Sequence, residues 1–317
     1  MKAKNNRVLL IGGSGFIGLH LTKRLLERKC EVTILHKDSF TRRGIEKEAR
    51  LVQGSITDYK TVENAIKDKD GIINLAAVLH PSGEFDPYLD WEVNGKGQLN
   101  ILEARRKVNP DSKYIFFGTR AQFGRVKEED LPIAEDYPQN PISLYGIHKQ
   151  TAENYCRLYK NAFGLKSIIL RPAIVYGPPV AEENKHDMIC KFIKKALQGE
   201  EFRINGFGKD RKDLIYIDDL VDLIVKVMDS KVEEGTFNVG SGKGIEFLEI
   251  AKRIVTVCKS GTFKAVPFPK ELERFELGSY YADISKAKGT FRWAPKTSLE
   301  EGLKKIAEHQ RKRMKAK

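Results

Sequence analysis

The apolar run Val8-Leu9-Leu10-Ile11 stops in glycines, and the segment it leads into, IGGSGFIG, spaces Gly12, Gly15 and Gly18 three residues apart. A short apolar run bounded by glycine reads as a buried strand, and Ile17, Leu21 and Leu25 then share one face of a helix. Strand, tight turn and helix N-terminus in that order leave few folds open. Gly12 permits the turn, Gly15 lets a pyrophosphate approach the backbone, and Gly18 lets the helix pack closely on the strand, while the first helical N–H groups face the negative charge. The pattern predicts a dinucleotide-binding loop, with Ser14, Phe16 and Ile17 beside the glycines as further cofactor contacts.

The alternation continues down the chain. EVTILH (31–36), ARLVQ (49–53), GIINLAA (71–77), KYIFFG (113–118) and KSIILRP (166–172) read as strands separated by helices or turn-rich crossovers. That order predicts an α/β fold, a doubly wound parallel sheet of Rossmann type. Ligands in such sheets sit at the C-terminal strand ends, where Gly12, His36, Ala76, Ala77 and Thr119 fall. Lys37, Ser55, Ile56, Asn94 and Pro172 are further candidates for the cofactor. Beyond residue 177 the order changes. Residues 178–212 read as helix and glycine-rich loops, LIYIDDLVDLIVKVM returns as strand and helix, and two further helices follow. The expected division is 1–177 plus 213–240 for the dinucleotide, and 178–212 plus 241–317 for a smaller, discontinuous substrate domain. The cleft between them is the default substrate site.

Composition narrows the function classes. The chain has 317 residues, 41% hydrophobic and 31% charged, with 56 basic against 43 acidic residues and a net charge of +13. Such an excess favours anionic ligands, either nucleic acid or a phosphorylated metabolite. The lysines are scattered rather than gathered in a stripe with interleaved aromatics, which speaks against nucleic acid. Much of the excess sits in KKIAEHQRKRMKAK, read as a solvated helix end. No stretch approaches the ~20 apolar residues that span a bilayer, and a cytoplasmic location is expected. Cys30, Cys156, Cys190 and Cys258 match no zinc-ligand spacing and no disulfide scaffold, so no metal is expected and the thiols read as buried.

SLYGIHK (143–149) places Tyr145 and Lys149 four apart, on one face of an expected helix. None of the other ten tyrosines has a lysine at that spacing. A phenol free in water titrates near pH ~10, and a nearby ammonium favours the phenolate, so the pair is a candidate acid/base. The spacing alone is equally compatible with a structural pair.

Taken in order, IGGSGFIG, INLAA, VNGKGQLNILEA, FFGTRAQFG, YGIHK, LRPAIVYGP and DLIYIDDLVD resemble the extended short-chain dehydrogenase/reductase family, and within it the nucleotide-sugar epimerases and dehydratases. The resemblance runs from residue 7 to about 305. It implies that Tyr145 is the acid/base on a sugar hydroxyl or ketone, that Lys149 lowers its pKa and holds the nicotinamide ribose, and that Thr119 bonds the same oxygen. Family dehydratases follow the threonine with Asp-Glu. This chain has Arg120 and Ala121, which argues against dehydration. Arg120 and Gln122 are candidate substrate contacts. In RPAIVYGP the position often held by a diphosphate-binding Asn is Ile174, while Arg211, Lys212 and Arg274 are candidate cations for a diphosphate or plain solvated charges.

An acid gripping a ribose 2′-OH is absent at the end of the second strand, where His36 and Lys37 stand, with Arg42 and Arg43 beyond. The cofactor is NAD or NADP, with a lean to NADP, although Asp38 could reach a ribose. The leading reading is an NAD(P)-dependent nucleotide-sugar epimerase, in which hydride leaves and returns through a keto intermediate. The alternatives are an NADPH-dependent ketoreductase of a 4-keto nucleotide sugar and a non-catalytic nucleotide sensor or RNA-binding protein on the same fold. The resemblance also implies a homodimer, its four-helix bundle built from residues 87–107 and 145–162. Ile147, Ala152, Tyr155, Leu158 and Tyr159 supply the apolar surface.

Overall fold

The computed structural model describes residues 7–37, 48–79, 82–180 and 188–315. The backbone divides into two compact units. The first comprises Met1–Gly124, Pro138–Arg171 and Val221–Phe237, the second Arg125–Tyr137, Pro172–Leu220 and Asn238–Lys317.

The first unit is built on a seven-stranded parallel sheet. Its strands are β1 (Arg7–Ile11), β2 (Glu31–His36), β3 (Arg50–Gln53), β4 (Gly71–Asn74), β5 (Lys113–Phe117), β6 (Ile168–Pro172) and a seventh, Gly235–Val239. The spatial order is the seventh strand, β6, β5, β4, β1, β2, β3. Leu10 of β1 lies between Ile34 of β2 and Ile73 of β4, and all three are buried. The chain grows outward from β1 to β3 and then restarts on the other side at β4, so strand order reverses between β1 and β4. That reversal opens the crevice where such sheets take ligands. The doubly wound parallel sheet read from the sequence is observed, and the seventh strand is an addition. TFNV is short and follows Gly235, too little to signal a strand until β6 offers an edge to pair with.

Helices cover the sheet. They are α1 (Phe16–Glu27), α2 (Tyr59–Ile66), α3 (Ser82–Phe85), α4 (Pro87–Asp90), α5 (Gly97–Val108) and α6 (Leu144–Phe163). Helix α2 starts at Asp58, whose carboxylate accepts the Lys60 and Thr61 N–H groups, and α6 starts at Ser143, whose Oγ accepts the Gly146 N–H at 3.1 Å. Gly164, with φ at +70°, ends α6. Val62, Ile66, Ile101, Leu102, Ala152 and Cys156 pack on Leu9, Ile72, Tyr114 and Phe116 of the sheet. Each such Leu or Ile contributes about 1.5–3 kcal/mol on burial.

Residues 87–107 are helical throughout but not uniformly α-helical. A π-helical turn, Trp91–Lys96, separates α4 from α5. Asp90, just before this turn, and Asn94, within it, are both fully buried. On α6, Ala152 and Tyr159 face this unit's own core rather than a partner, whereas Ile147 and Leu158 are exposed.

In the second unit Ile174–Tyr176 pairs in parallel with Leu214–Tyr216, and Glu201–Asn205 with Thr262–Val266. Helices Met188–Leu197, Phe247–Cys258 and Leu299–Lys315 pack together, and short helices Lys270–Glu273 and Ser285–Phe291 join them, more than the two expected. The basic tail is anchored on one side. Leu303, Ile306 and Ala307 are buried, and Lys312, Arg313 and Lys315 lie in the last turn, where the dipole favours cations. All four cysteines are buried free thiols. No helix among the described residues is long and apolar enough to cross a membrane.

Candidate active site

The glycine turn leaves β1 at the reversal point. Gly12 has φ at +76°, and a Cβ there would lie 2.8 Å from the Ala76 backbone nitrogen. That close approach ties the turn to the segment leaving β4. A Cβ on Gly18 would lie 2.5 Å from the Gly13 Cα, which is the close packing of helix on turn that the spacing predicts. Gly15 caps α1 without a side-chain hydrogen bond, and no acidic residue stands in the first turn of that helix. Its N–H groups and dipole therefore present an open anion site, which fits a pyrophosphate. Ser14, Phe16 and Ile17 sit on this turn as expected.

Around it, His36 ends β2 buried, its carbonyl accepting the Gly54 N–H at 2.8 Å, and Lys37 is exposed. Asp38, Arg42 and Arg43 lie outside the described residues. Ser55 Oγ bonds Thr57 Oγ1 at 2.9 Å, and Ile56 packs against Gly97. Ala76 and Ala77 follow β4, with the Ala76 N–H donated to Asn74 Oδ1 at 3.2 Å. Asn94 clasps this segment. Its Nδ2 donates to the Val78 carbonyl at 2.8 Å and its Oδ1 accepts the Val78 N–H at 3.1 Å. The side chain is thus engaged in shaping the loop that follows β4.

Tyr145 and Lys149 are buried on one face of α6. Lys149 Nζ lies 4.5 Å from the centre of the Phe116 ring at the end of β5, a cation–π contact. Burial lowers its pKa to about 8, while the charges of Glu153 and Asp90 act in the opposite sense. The Tyr145 phenol is pushed up to about 12, first by burial, with a hydrogen bond to Thr119 pulling it down and the Asp90 charge adding to the rise. The sequence reading expected Lys149 to bring the phenol toward neutrality. In the protein alone desolvation of the phenolate dominates, Lys149 is not among the groups that shift the phenol, and the net shift is upward.

Thr119 caps the short 3₁₀ turn Arg120–Phe123 in a reciprocal arrangement. Its Oγ1 accepts the Ala121 N–H at 3.2 Å, and its own N–H donates to Gln122 Oε1 at 2.8 Å. Gln122 is fully buried and shapes the turn that holds Thr119, with Nε2 unpartnered among the described residues. Arg120, half-buried, is on the same turn.

Three groups escaped the sequence reading. Glu153 lies one helical turn beyond Lys149 and forms a buried two-point ion pair with Arg171 of β6, at 3.0 and 2.7 Å. The four-residue spacing from Lys149 was the available signal for Glu153. Nothing local marked Arg171 as its partner. Asp90 was likewise invisible, because its partners His148 and Asn94 are met only in the folded chain.

Pro172, Ile174, Arg211, Lys212 and Arg274 belong to the second unit. Lys212 is largely buried. Its Nζ donates to Glu276 Oε1 at 2.9 Å and to the Gly278 carbonyl at 3.1 Å. Arg211 pairs with Glu128 at 3.3 Å on the surface. Arg274 is exposed over Phe275, and the carbonyls of its segment accept bonds from Arg125. Asp213 is buried and accepts Ser241 N–H and Oγ–H, both at 2.7 Å, which fixes the loop after the seventh strand.

A glycine cradle on an uncapped helix and a buried Tyr–Lys pair thus occupy the ligand end of one parallel sheet. The family model for the NAD-dependent epimerase/dehydratase family matches residues 8–240. The chain belongs to that family. This epimerase/dehydratase family member is 31% identical over 94% of its length to a putative UDP-glucose 4-epimerase of Methanocaldococcus jannaschii, 96% of which is covered. It is similar to the UDP-glucose 4-epimerase of Thermotoga maritima, solved with UDP-glucose, with a TM-score of 0.86 at 31% identity over 97% of this chain and 99% of that one. The UDP-glucose 4-epimerase of Thermus thermophilus, solved with NAD, matches with a TM-score of 0.85 at 26% identity, covering 96% and 99%. The family resemblance drawn from the motifs is thereby established. The lean to NADP finds no support in these matches.

Proposed function

We propose that this protein interconverts the C4 epimers of a UDP-hexose with bound NAD. The observation that carries the reading is the buried Tyr145–Lys149 pair at the ligand end of the sheet, with Thr119 lowering the pKa of the phenol. The turn Gly12–Gly18 and the N-terminus of α1 would hold the pyrophosphate of NAD, and Lys149 its nicotinamide ribose. When bound, NAD would supply a reversible hydride acceptor, so that no net redox would result. The protein's own part is proton transfer. The Tyr145 phenolate takes the proton of the sugar hydroxyl as the carbonyl forms, and the phenol so made gives it back when the opposite hydroxyl is regenerated. Lys149 stabilises the phenolate present before the first transfer and after the second. Thr119 bonds Tyr145 and aims it, and its own place is fixed by Gln122. For the diphosphate of the sugar nucleotide, Arg211 and Arg274 are the exposed cations, since Lys212 is engaged with Glu276.

Incubation with UDP-glucose and with UDP-galactose, followed by proton NMR, tests the reading. Both should reach the same mixture, and the nucleotide released on denaturing the purified protein should be NAD. Tyr145→Phe should keep that nucleotide and lose turnover by at least about a hundredfold. Conversion of neither sugar, or full activity in Tyr145→Phe, overturns it.

A further inference from the structure

Asp90 closes α4 immediately before the π-helical turn and is fully buried. A carboxylate at that depth depends on its partners. Oδ1 accepts from Asn94 Nδ2 at 3.1 Å and from His148 Nδ1 at 2.5 Å. Oδ2 is buried and has no hydrogen-bond partner among the described residues. Asn94 cannot turn to it, because the same amide is held by both backbone groups of Val78. His148 precedes Lys149 on α6, its side chain is 14% exposed, and its ring tilts against Trp91 at 5.8 Å. A carboxylate–imidazole couple therefore runs from the buried end of α4 to the solvent edge of α6.

We infer that Asp90 and His148 are a positioning couple for the Tyr145–Lys149 pair: Asp90 sets the charge the phenol meets, and His148 sets how much of that charge reaches it. The couple joins the π-helical turn to α6 at the level where the acid/base works. Asp90 acts on both members, opposing the phenolate and favouring the ammonium. The other charges around the pair are compensated. Glu153 on α6 is bound by Arg171 of β6, Glu84 of α3 accepts the Leu144 N–H at 2.8 Å, and Glu92 and Lys96 of the π-helical turn pair with each other at 3.0 Å. Thr119, from the 3₁₀ turn, adds a hydroxyl without charge. Asp90, with one oxygen unpartnered, is the charge left to bias the phenol.

The inference rests on Tyr145 as the acid/base, and its test needs no sugar. Biosynthetic replacement of the tyrosines by difluorotyrosine lowers phenol titrations into a range where the protein stays folded, and fluorine NMR follows them. The Tyr145 signal is the one missing in Tyr145→Phe. In Asp90→Asn its titration midpoint should fall by about one pH unit, a tenfold weaker hold on the proton. In His148→Ala, at a partly exposed position, the carboxylate loses a donor and the midpoint should rise. An unmoved midpoint in folded Asp90→Asn overturns the inference. Should Asp90→Asn not fold, an unmoved or lowered midpoint in His148→Ala overturns it. Failure of the sugar assay leaves these midpoints readable, so the two readings fail separately.

Discussion

Lys149 is an ammonium carried into the interior with 2% of its surface exposed, and burial holds its pKa at about 8. Free lysine titrates near ~10.4, so between those values the unfolded chain binds more protons than the folded one, and stability rises with pH across that window. Below it the full penalty applies. Lys149→Met should therefore stabilise the cofactor-free protein at neutral pH by on the order of 2 kcal/mol, remove that rise and abolish turnover. Thermal melts of both proteins on either side of the window check it; a lower melting temperature for Lys149→Met at neutral pH counts against the cost. Gly12 is the second residue under tension. Gly12→Ala combines a positive φ with a Cβ 2.8 Å from the Ala76 nitrogen, and the turn must shift to relieve it. We expect a loss of about 1–3 kcal/mol of stability and at least about tenfold in NAD affinity, read by denaturant melts and fluorescence titration.

At the scale of elements, α6 is held to the sheet beneath the acid/base pair by Glu153 and Arg171, both side chains at most 3% exposed. Removing one partner strands the other charge in the interior. Arg171→Met should cost about 3–5 kcal/mol, and the double replacement Arg171→Met with Glu153→Met should cost less than that single change. Urea denaturation of the three proteins decides it, and equal losses would mean the ion pair is incidental. This element was half legible beforehand. Tyr145, Lys149 and Glu153 could be placed on one helical face from their spacing, because helical geometry is local. Arg171 lies on another element, and its pairing arises only when β6 is laid beside α6. The same holds for residues 87–107, where a uniform helix was expected. The π-helical turn carries Asn94, which bonds Val78, a partner in a different segment.

For the molecule as a whole, apolar side chains remain uncovered on α3 to α6. Phe85, Tyr88, Leu158 and Phe163 are all more than half exposed. Uncovered apolar side chains along packed helices are what an interaction surface uses. We expect a homodimer through this face, as the family resemblance implies. Leu158→Glu, which places a charge within that apolar surface, should shift the mass by light scattering from dimer to monomer at micromolar concentration. A monomeric wild-type protein would remove the basis for the prediction.

What the sequence by itself determined is the chemistry carried by local spacing. The glycine turn after VLLI, the succession of short apolar strands and the Tyr–Lys step on one helical face are each specified within about ten residues. Strand, turn and helix geometry at that range leaves little choice. The same reasoning led to the family and to the sheet. Only the tertiary structure decided how those groups behave. It turned Asp90 and Glu153 inward, engaged Asn94, Gln122 and Lys212 in structural bonds, and moved the Tyr145 phenol upward where a neighbouring lysine had suggested the opposite. Each of these outcomes depends on desolvation and on partners from distant segments. Burial is a property of the packed chain, and no window of sequence contains it.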